Sequence, residues 1–158
     1  MKKTFNIIAA MDFNHGIGYE GKLPWNIKGD LKFFKDKTKD NPLIMGRKTW
    51  DSLPVKPLPN RENIVLSRNS EMNSFQKALD YCYNKNKTPF IIGGYSIYEE
   101  AINHEDLGIL YLTLIHGAYK ADVYFPKLPD TLKVIVKENY VEYSIFTFSR
   151  KLDHPNSI

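Results

Sequence analysis

Two stretches decide the fold: Leu43-Ile44-Met45-Gly46-Arg47-Lys48-Thr49 and Phe90-Ile91-Ile92-Gly93-Gly94-Tyr95-Ser96. Each runs from a short apolar strand through glycine into a helix start. Apolar runs of this kind, followed by helix signals, belong to parallel strands buried on both faces. Glycine lets the backbone approach a ligand closely, and the free N–H groups of a first helical turn favour an anion. Glycines also serve tight strand–helix turns with no ligand at all. Arg47 and Lys48 favour the ligand reading at the first junction, because cations there oppose the helix dipole but suit a phosphate. Two such junctions on parallel strands can face one crevice, where open α/β sheets bind ligands.

Outward from these junctions the chain alternates strand and helix signals. Phe5 to Ala10 reads as a strand that enters a Gly-rich loop, Asn14 to Lys22. A charged helix is predicted from about Ile27 to Lys39 and a short one from Gly46 through Trp50. Pro54, Pro57 and Pro59 enforce an irregular connection before a strand at Glu62 to Leu66. Ser74 is placed to cap a helix in which Phe75, Ala78, Leu79 and Cys82 share one face. A further helix follows Gly94 with Ile97, Tyr98, Ala101 and Ile102 inward, and Gly108 to Ile115 reads as a central strand. Leu132 to Lys137 and Tyr143 to Phe148 then read as a closing strand pair. The fold class expected is α/β: a mainly parallel central sheet flanked by helices on both faces, with an antiparallel C-terminal edge. One catalytic domain is expected over 1–152, with a frayed tail over 153–158.

Composition agrees. The 158 residues are 42% hydrophobic and 25% charged, which excludes disordered and low-complexity classes. The single cysteine, Cys82, excludes an intrachain disulfide and a thiol-rich zinc site, and no metal is expected. The apolar stretch after Met1 ends at Asp12, too short for a secretory segment, and no run is long enough to span a membrane. A cytoplasmic protein is expected. The net charge, 22 − 18 = +4, suits small anionic ligands. It is too mild, and the lysines too interleaved with acids, for nucleic acid.

Gly16, Gly18 and Gly21 spell the dinucleotide fingerprint G-x-G-x-x-G, but the context is wrong. That motif must open a helix, and Leu23-Pro24 lies where the helix should begin. The glycines are better suited to a loop at the carboxyl end of the first strand. Asp30 fits two readings: an acid in a helix first turn, favoured by the dipole, or a carboxylate facing inward beside Leu31 and Phe34. Thr113, a small hydroxyl in an apolar strand, either bonds its own neighbours or partners such an acid.

At family spacing and in order stand Ile8-Ala9-Ala10-Met11, Ile17-Gly18, Leu23-Pro24-Trp25, Asp30-Leu31 with Phe34, and Ile44-Met45-Gly46-Arg47-Lys48-Thr49-Trp50. Pro57-Leu58-Pro59-Asn60-Arg61, Ile64-Val65-Leu66-Ser67-Arg68, Ile92-Gly93-Gly94 with Ile97-Tyr98, Tyr111-Leu112-Thr113 and Asp122 with Phe125-Pro126 follow. The chain resembles dihydrofolate reductase from about residue 7 to 126, and more loosely through Phe148.

The resemblance implies reduction of 7,8-dihydrofolate to tetrahydrofolate with NADPH as hydride donor, in support of one-carbon metabolism, and binding of antifolate inhibitors. It implies cofactor contacts from Ala10, Ile17, Gly18 and Leu23 on the nicotinamide side. Gly46, Arg47, Lys48 and Thr49 would line the phosphates from one side, and Gly93, Gly94, Tyr95, Ser96 and Ile97 from the other, with the Gly93–Gly94 peptide cis and Ile92 and Tyr98 as further cofactor contacts. Leu66, Ser67 and Arg68, with Arg47, would hold the adenosine end and its 2′-phosphate. On the substrate side it implies apolar walls from Ile8, Ala9, Leu31, Phe34, Leu53, Leu58, Ile92 and Tyr98. Arg61 would fork onto the glutamate-tail carboxylate, with Lys35 near that tail. Asp30 would bind the pterin edge, with Thr113 orienting it and Trp25 and Leu23 completing the catalytic set. The loop from Asn14 to Lys22 would act as a lid. Relatives commonly carry a small residue where Tyr95 stands. A same-fold reductase of a riboflavin-pathway pyrimidine would share the glycine junctions but lack the Leu-Pro-Trp, Asp30 and Arg61 set. A catalytically silent ligand-binding module is the alternative of another class. A monomer is the default expectation.

Overall fold

Apolar residues fill the buried positions of the central strands, and the strands ending at Gly46, Leu66 and Ile91, each followed by a helix, lie in one parallel stretch of sheet. The computed structural model describes residues 3–150. The tail expected at 153–158 lies outside the described residues. The elements are β1 (Phe5–Asp12), β2 (Gly16–Gly18), α1 (Lys28–Thr38), β3 (Leu43–Gly46), α2 (Arg47–Ser52), β4 (Asn63–Leu66) and α3 (Phe75–Asn84). They continue as β5 (Phe90–Ile91), α4 (Tyr95–Ile102), β6 (Leu107–Ile115), β7 (Val123–Tyr124), β8 (Leu132–Asn139) and β9 (Tyr143–Arg150).

Seven strands form one sheet in the order β4-β3-β5-β1-β6-β9-β8. The first five are mutually parallel, while β9 runs antiparallel to both β6 and β8. The final strand β9 therefore inserts between β6 and β8, and β8 is the edge. Lysines at 133 and 137 and an irregularity between Val134 and Val136 blunt that edge against further pairing. The chain starts in the middle of the sheet at β1, builds outward through β3 and β4, and returns as β5 beside β1. The connections diverge at that point, which opens a crevice at the carboxyl ends of β1 and β5.

Helices cover both faces. On one face Phe75, Ala78, Leu79 and Cys82 of α3 and Ile97, Tyr98, Ala101 and Ile102 of α4 bury against Phe5, Ile7, Ala9 and Leu110. Ser74 caps α3 as its spacing predicts, its Oγ accepting the Lys77 N–H at 3.1 Å. Burial pushes the Cys82 thiol up to about 12, so it packs as a neutral apolar group. On the opposite face Ile8, Leu43, Met45 and Phe90 form a smaller core with Phe34 of α1, Trp50 of α2, and Leu53 and Leu58 from the proline-rich connection.

Two expectations need correction. The Asn14–Lys22 segment is not wholly loop: Gly16–Gly18 pairs as a strand with Val123–Tyr124, and Tyr19 bridges to Lys22. Strands of two and three residues leave no readable period. Leu31 does not turn inward with Phe34; it is 48% exposed, whereas Phe34 joins the smaller core. An α-helical face is about one residue in three or four wide, and α1 presents Asp30, Phe34 and Thr38 on it.

Candidate active site

The two glycine junctions touch. Gly46 N–H donates to the Gly93 carbonyl at 2.8 Å, and Ile92 N–H donates to the Ile44 carbonyl at 3.0 Å. Gly93 has φ +118 and lies against the Tyr98 ring, where an added Cβ would meet ring atoms at 3.2 Å. A Cβ on Gly46 would meet Ile97 Cδ1 at 3.1 Å. Glycine is thus required at 93 by backbone conformation and close packing, while Gly46 packs tightly on the Ile97 side chain. The Gly93–Gly94 peptide is cis, as the resemblance implies, and so is Lys56–Pro57, which sequence reasoning did not anticipate.

β3 and β4 end in register, Gly46 opposite Leu66. Arg47 and Lys48 therefore leave the sheet beside Ser67 and Arg68, with Thr49 in the first turn of α2. Arg47 pairs with Asp51 at 3.2 Å, but both are well exposed, so the pair is a weak competitor for a stronger anion. Lys48 and Arg68 are exposed. Across the junctions Tyr95 and Ser96 open α4, both exposed, with Gly94 as its N-cap. Tyr95 turns outward along the helix, its hydroxyl donating to Glu99 at 2.8 Å. The donor set is one of main-chain N–H groups, hydroxyls and three cations along one rim, chemistry that fits a phosphate-rich ligand.

Asp30 stands in the first turn of α1, 7% exposed, near enough to Tyr98, whose ring lies against Gly93, that burial first and then the Asp30 carboxyl push that phenol up. Burial pushes its carboxyl above the usual 3.8, while the Trp25 indole and the Thr113 hydroxyl act in the opposite, smaller sense. Thr113 is 1% exposed in β6, where it lies opposite Ala10 of β1. The indole acts at longer than hydrogen-bond range, since Trp25 Nε1 is buried without a direct partner. A buried donor of this kind needs a partner, and a bridging water or a ligand atom meets that need. Lys28 and Lys32 point to solvent, and Lys32 pairs with Asp36 at 2.6 Å.

The apolar walls expected around Asp30 assemble in part. Ile8, Phe34, Leu53, Leu58 and Ile92 share the smaller core. Tyr98 reaches the same strand from the other face, its hydroxyl donating to the Ile8 carbonyl at 3.0 Å. Ala9, by strand alternation, packs into the larger core, so only its main chain faces the crevice. Ile17 and Leu66 pack against that larger core too, and Ala10 lies with Trp25, Ile27 and Ile115. Leu23, just before Pro24, is 50% exposed, and Gly18 is half-buried in β2.

Arg61 is held rigidly. Its Nε donates to the Pro59 carbonyl at 2.7 Å and its Nη1 to Thr38 Oγ1 at 2.7 Å. Thr38 is fully buried and donates in turn to the Phe34 carbonyl at 2.8 Å. With Nε and one Nη1 proton engaged, Nη2 and the second Nη1 proton are left for a carboxylate. Lys35 is exposed on α1. Sequence reasoning missed Thr38, although it follows Asp30 and Phe34 at four-residue spacing on one helical stripe.

The family model described as dihydrofolate reductase matches residues 4–149. The chain belongs to the dihydrofolate reductase family. The dihydrofolate reductase of Drosophila melanogaster is 35% identical over 156 residues, covering 85% of this chain and 86% of that protein. A bifunctional dihydrofolate reductase-thymidylate synthase of Daucus carota is 34% identical over 181 residues, covering 94% of this chain. The chain spans 34% of the length of that larger relative. Among solved structures, dihydrofolate reductase from Enterococcus faecalis complexed with NADP(H) and RAB-propyl superposes with a TM-score of 0.85 at 31% identity. That match covers 96% of this chain and 99% of the other. In this dihydrofolate reductase family member the G-x-G-x-x-G spacing opens no helix: Gly16 and Gly18 lie in β2 and Gly21 stands in the turn beyond it at φ +79.

Proposed function

We propose that the chain reduces 7,8-dihydrofolate to tetrahydrofolate with NADPH, and that it works as a cytoplasmic monomer. The observation that carries this reading is the buried, upward-shifted Asp30 carboxyl facing a crevice whose opposite rim is built from the Gly46 and Gly93 junctions. The Enterococcus relative, complexed with NADP(H), supports the choice of cofactor. The rim fits it: glycines that bring main chain close, Thr49, and the cations Arg47, Lys48 and Arg68. When bound, NADPH supplies a hydride to pterin C6.

The chain's own residues do the rest. Asp30 accepts from the pterin 2-amino group and N3–H and so fixes which ring edge faces the rim. Thr113 orients that carboxyl. Trp25 Nε1, lacking a direct partner, holds a water against the same edge. N5 must gain a proton, and it lies on the edge remote from Asp30, so that proton arrives through water rather than by direct transfer. Ile8, Phe34, Leu53, Leu58 and Ile92 exclude bulk water from the ring. Arg61 presents its free edge to the glutamate-tail carboxylate, with Lys35 nearby in the solvent. Arg47, Ser67 and Arg68 favour NADPH over NADH by stabilising the additional 2′-phosphate. The test is loss of the near-ultraviolet absorbance of NADPH on mixing with dihydrofolate and the protein, repeated with NADH. Turnover with NADPH in clear excess of NADH is expected; absence of dihydrofolate-dependent oxidation refutes the reading.

A further inference from the structure

A second buried carboxylate stands at the end of β1 and has no part in the chemistry above. Asp12, the last residue of β1, is 0% exposed, and no cation among the described residues pairs with it. Its charge is met entirely by main chain. One oxygen, Oδ1, accepts the N–H groups of Asn14 and Gly16, both at 2.9 Å. The other, Oδ2, accepts the N–H of Tyr119 at 2.7 Å. A carboxylate is the only small side chain that can accept on both oxygens at once, since an amide presents a donor on one side.

The two oxygens serve two different segments. Asn14 and Gly16 begin the segment that carries Ile17, Gly18 and Leu23. Tyr119 belongs to the turn after β6, and its ring meets Trp25 edge-on with centroids 5.9 Å apart. Gly16 is crowded against the joint: an added Cβ would meet Ala121 Cβ at 2.6 Å and Asp12 Oδ1 at 3.3 Å. Beyond the joint the two segments zip together through β2 and β7, Phe125 N–H to the His15 carbonyl at 2.8 Å, and Glu20 N–H to Asp122 Oδ2 at 3.0 Å.

We propose that Asp12 is a positioning residue for the reaction: by bridging the two segments it sets the lid base on one side and Trp25, through Tyr119, on the other. It touches no substrate and acts only through those groups. The proposal rests on the reductase reading of the same site. Its test is Asp12→Asn in the full chain. Asparagine retains one acceptor for Asn14 and Gly16 but turns an N–H toward that of Tyr119, so it uncouples the segments without removing the side chain. The expected result is a folded protein whose kcat falls about tenfold or more, with KM for dihydrofolate within about twofold, because orientation is lost while the substrate walls remain. The isotope effect on kcat with NADPH deuterated at the transferred position should rise, since hydride transfer becomes the slow step. A purely structural loss would lower the active fraction and leave the isotope effect unchanged. That result, or unchanged kcat, overturns the proposal. Amide exchange in the unmodified protein provides a check that needs no variant: Asn14, Gly16 and Tyr119 should be protected together, and a Tyr119 amide exchanging freely also overturns it. An unmodified chain with no reductase activity sinks the functional reading instead, so the two failures are separable.

Discussion

At the level of single residues, the proposed role of Asp30 sets stability against chemistry. Its carboxyl is raised by burial, so the stability tied to its protonated form is fully present below the ordinary value of 3.8 and lost as pH rises through the higher folded value. Near neutral pH an ionised Asp30 therefore weighs against the fold. Asp30→Asn should melt at a higher temperature than the parent near neutral pH, with the difference shrinking as pH falls below the ordinary carboxyl range. The same variant should lose about 10²–10³-fold in turnover, the usual span for losing one preorganised polar group at the reacting site. Thermal melts across pH beside steady-state turnover check both halves, and a variant that is less stable and fully active contradicts the assignment. The candidate role of Asp30 was legible only through the family resemblance, because an acid in a helix first turn is by itself ordinary. Thr38 and Asp12 were not: an isolated threonine or aspartate has no signature until the main-chain groups around it are known.

Among the elements, the strand–glycine–helix junctions were the most readable, because an apolar run, a glycine and a helix start each have a local physical cause. What the glycines are for differs between neighbours. Gly93 has φ +118 and the Tyr98 ring against it, whereas a Cβ on Gly94 meets only Thr49 Oγ1, at 3.4 Å. Gly93→Ala should lower stability by about 1–3 kcal/mol, the cost of forcing a side chain into that backbone region, and weaken NADPH binding. Gly94→Ala should be far milder. Urea unfolding and cofactor titration of the two variants measure the contrast, and equal effects would show that backbone conformation is not what Gly93 supplies. The short pair β2 and β7 stayed hidden, because two or three residues cannot display an alternation and the G-x-G-x-x-G spacing drew attention to glycine count rather than context.

For the whole molecule, the sheet order brings the two glycine junctions together from distant parts of the chain, and on the proposed function ligand and fold are thermodynamically linked. NADPH at about a hundred times its Kd should stabilise the protein by about 2.7 kcal/mol. At roughly 2–4 °C per kcal/mol for a chain of this size, the melting temperature should rise by about 5–10 °C. NADH at the same concentration should shift it less, and Arg68→Ala should narrow the gap between the two cofactors. Equal shifts with NADPH and NADH in the parent would remove Arg47, Ser67 and Arg68 from the cofactor's phosphate. The amino-acid sequence alone determined the α/β class, the two junctions and the capped amphipathic helix at Ser74, since each depends on neighbours within a few residues, while Asp30 was singled out from a plain helix-start acid only by its family resemblance. Tertiary structure alone decided that β9 inserts inside β8, that Leu31 faces solvent while Thr38 grips Arg61, and that Asp12 joins segments more than a hundred residues apart. Those outcomes depend on which main-chain donors and acceptors meet after the chain has closed on itself, and no local pattern encodes that meeting.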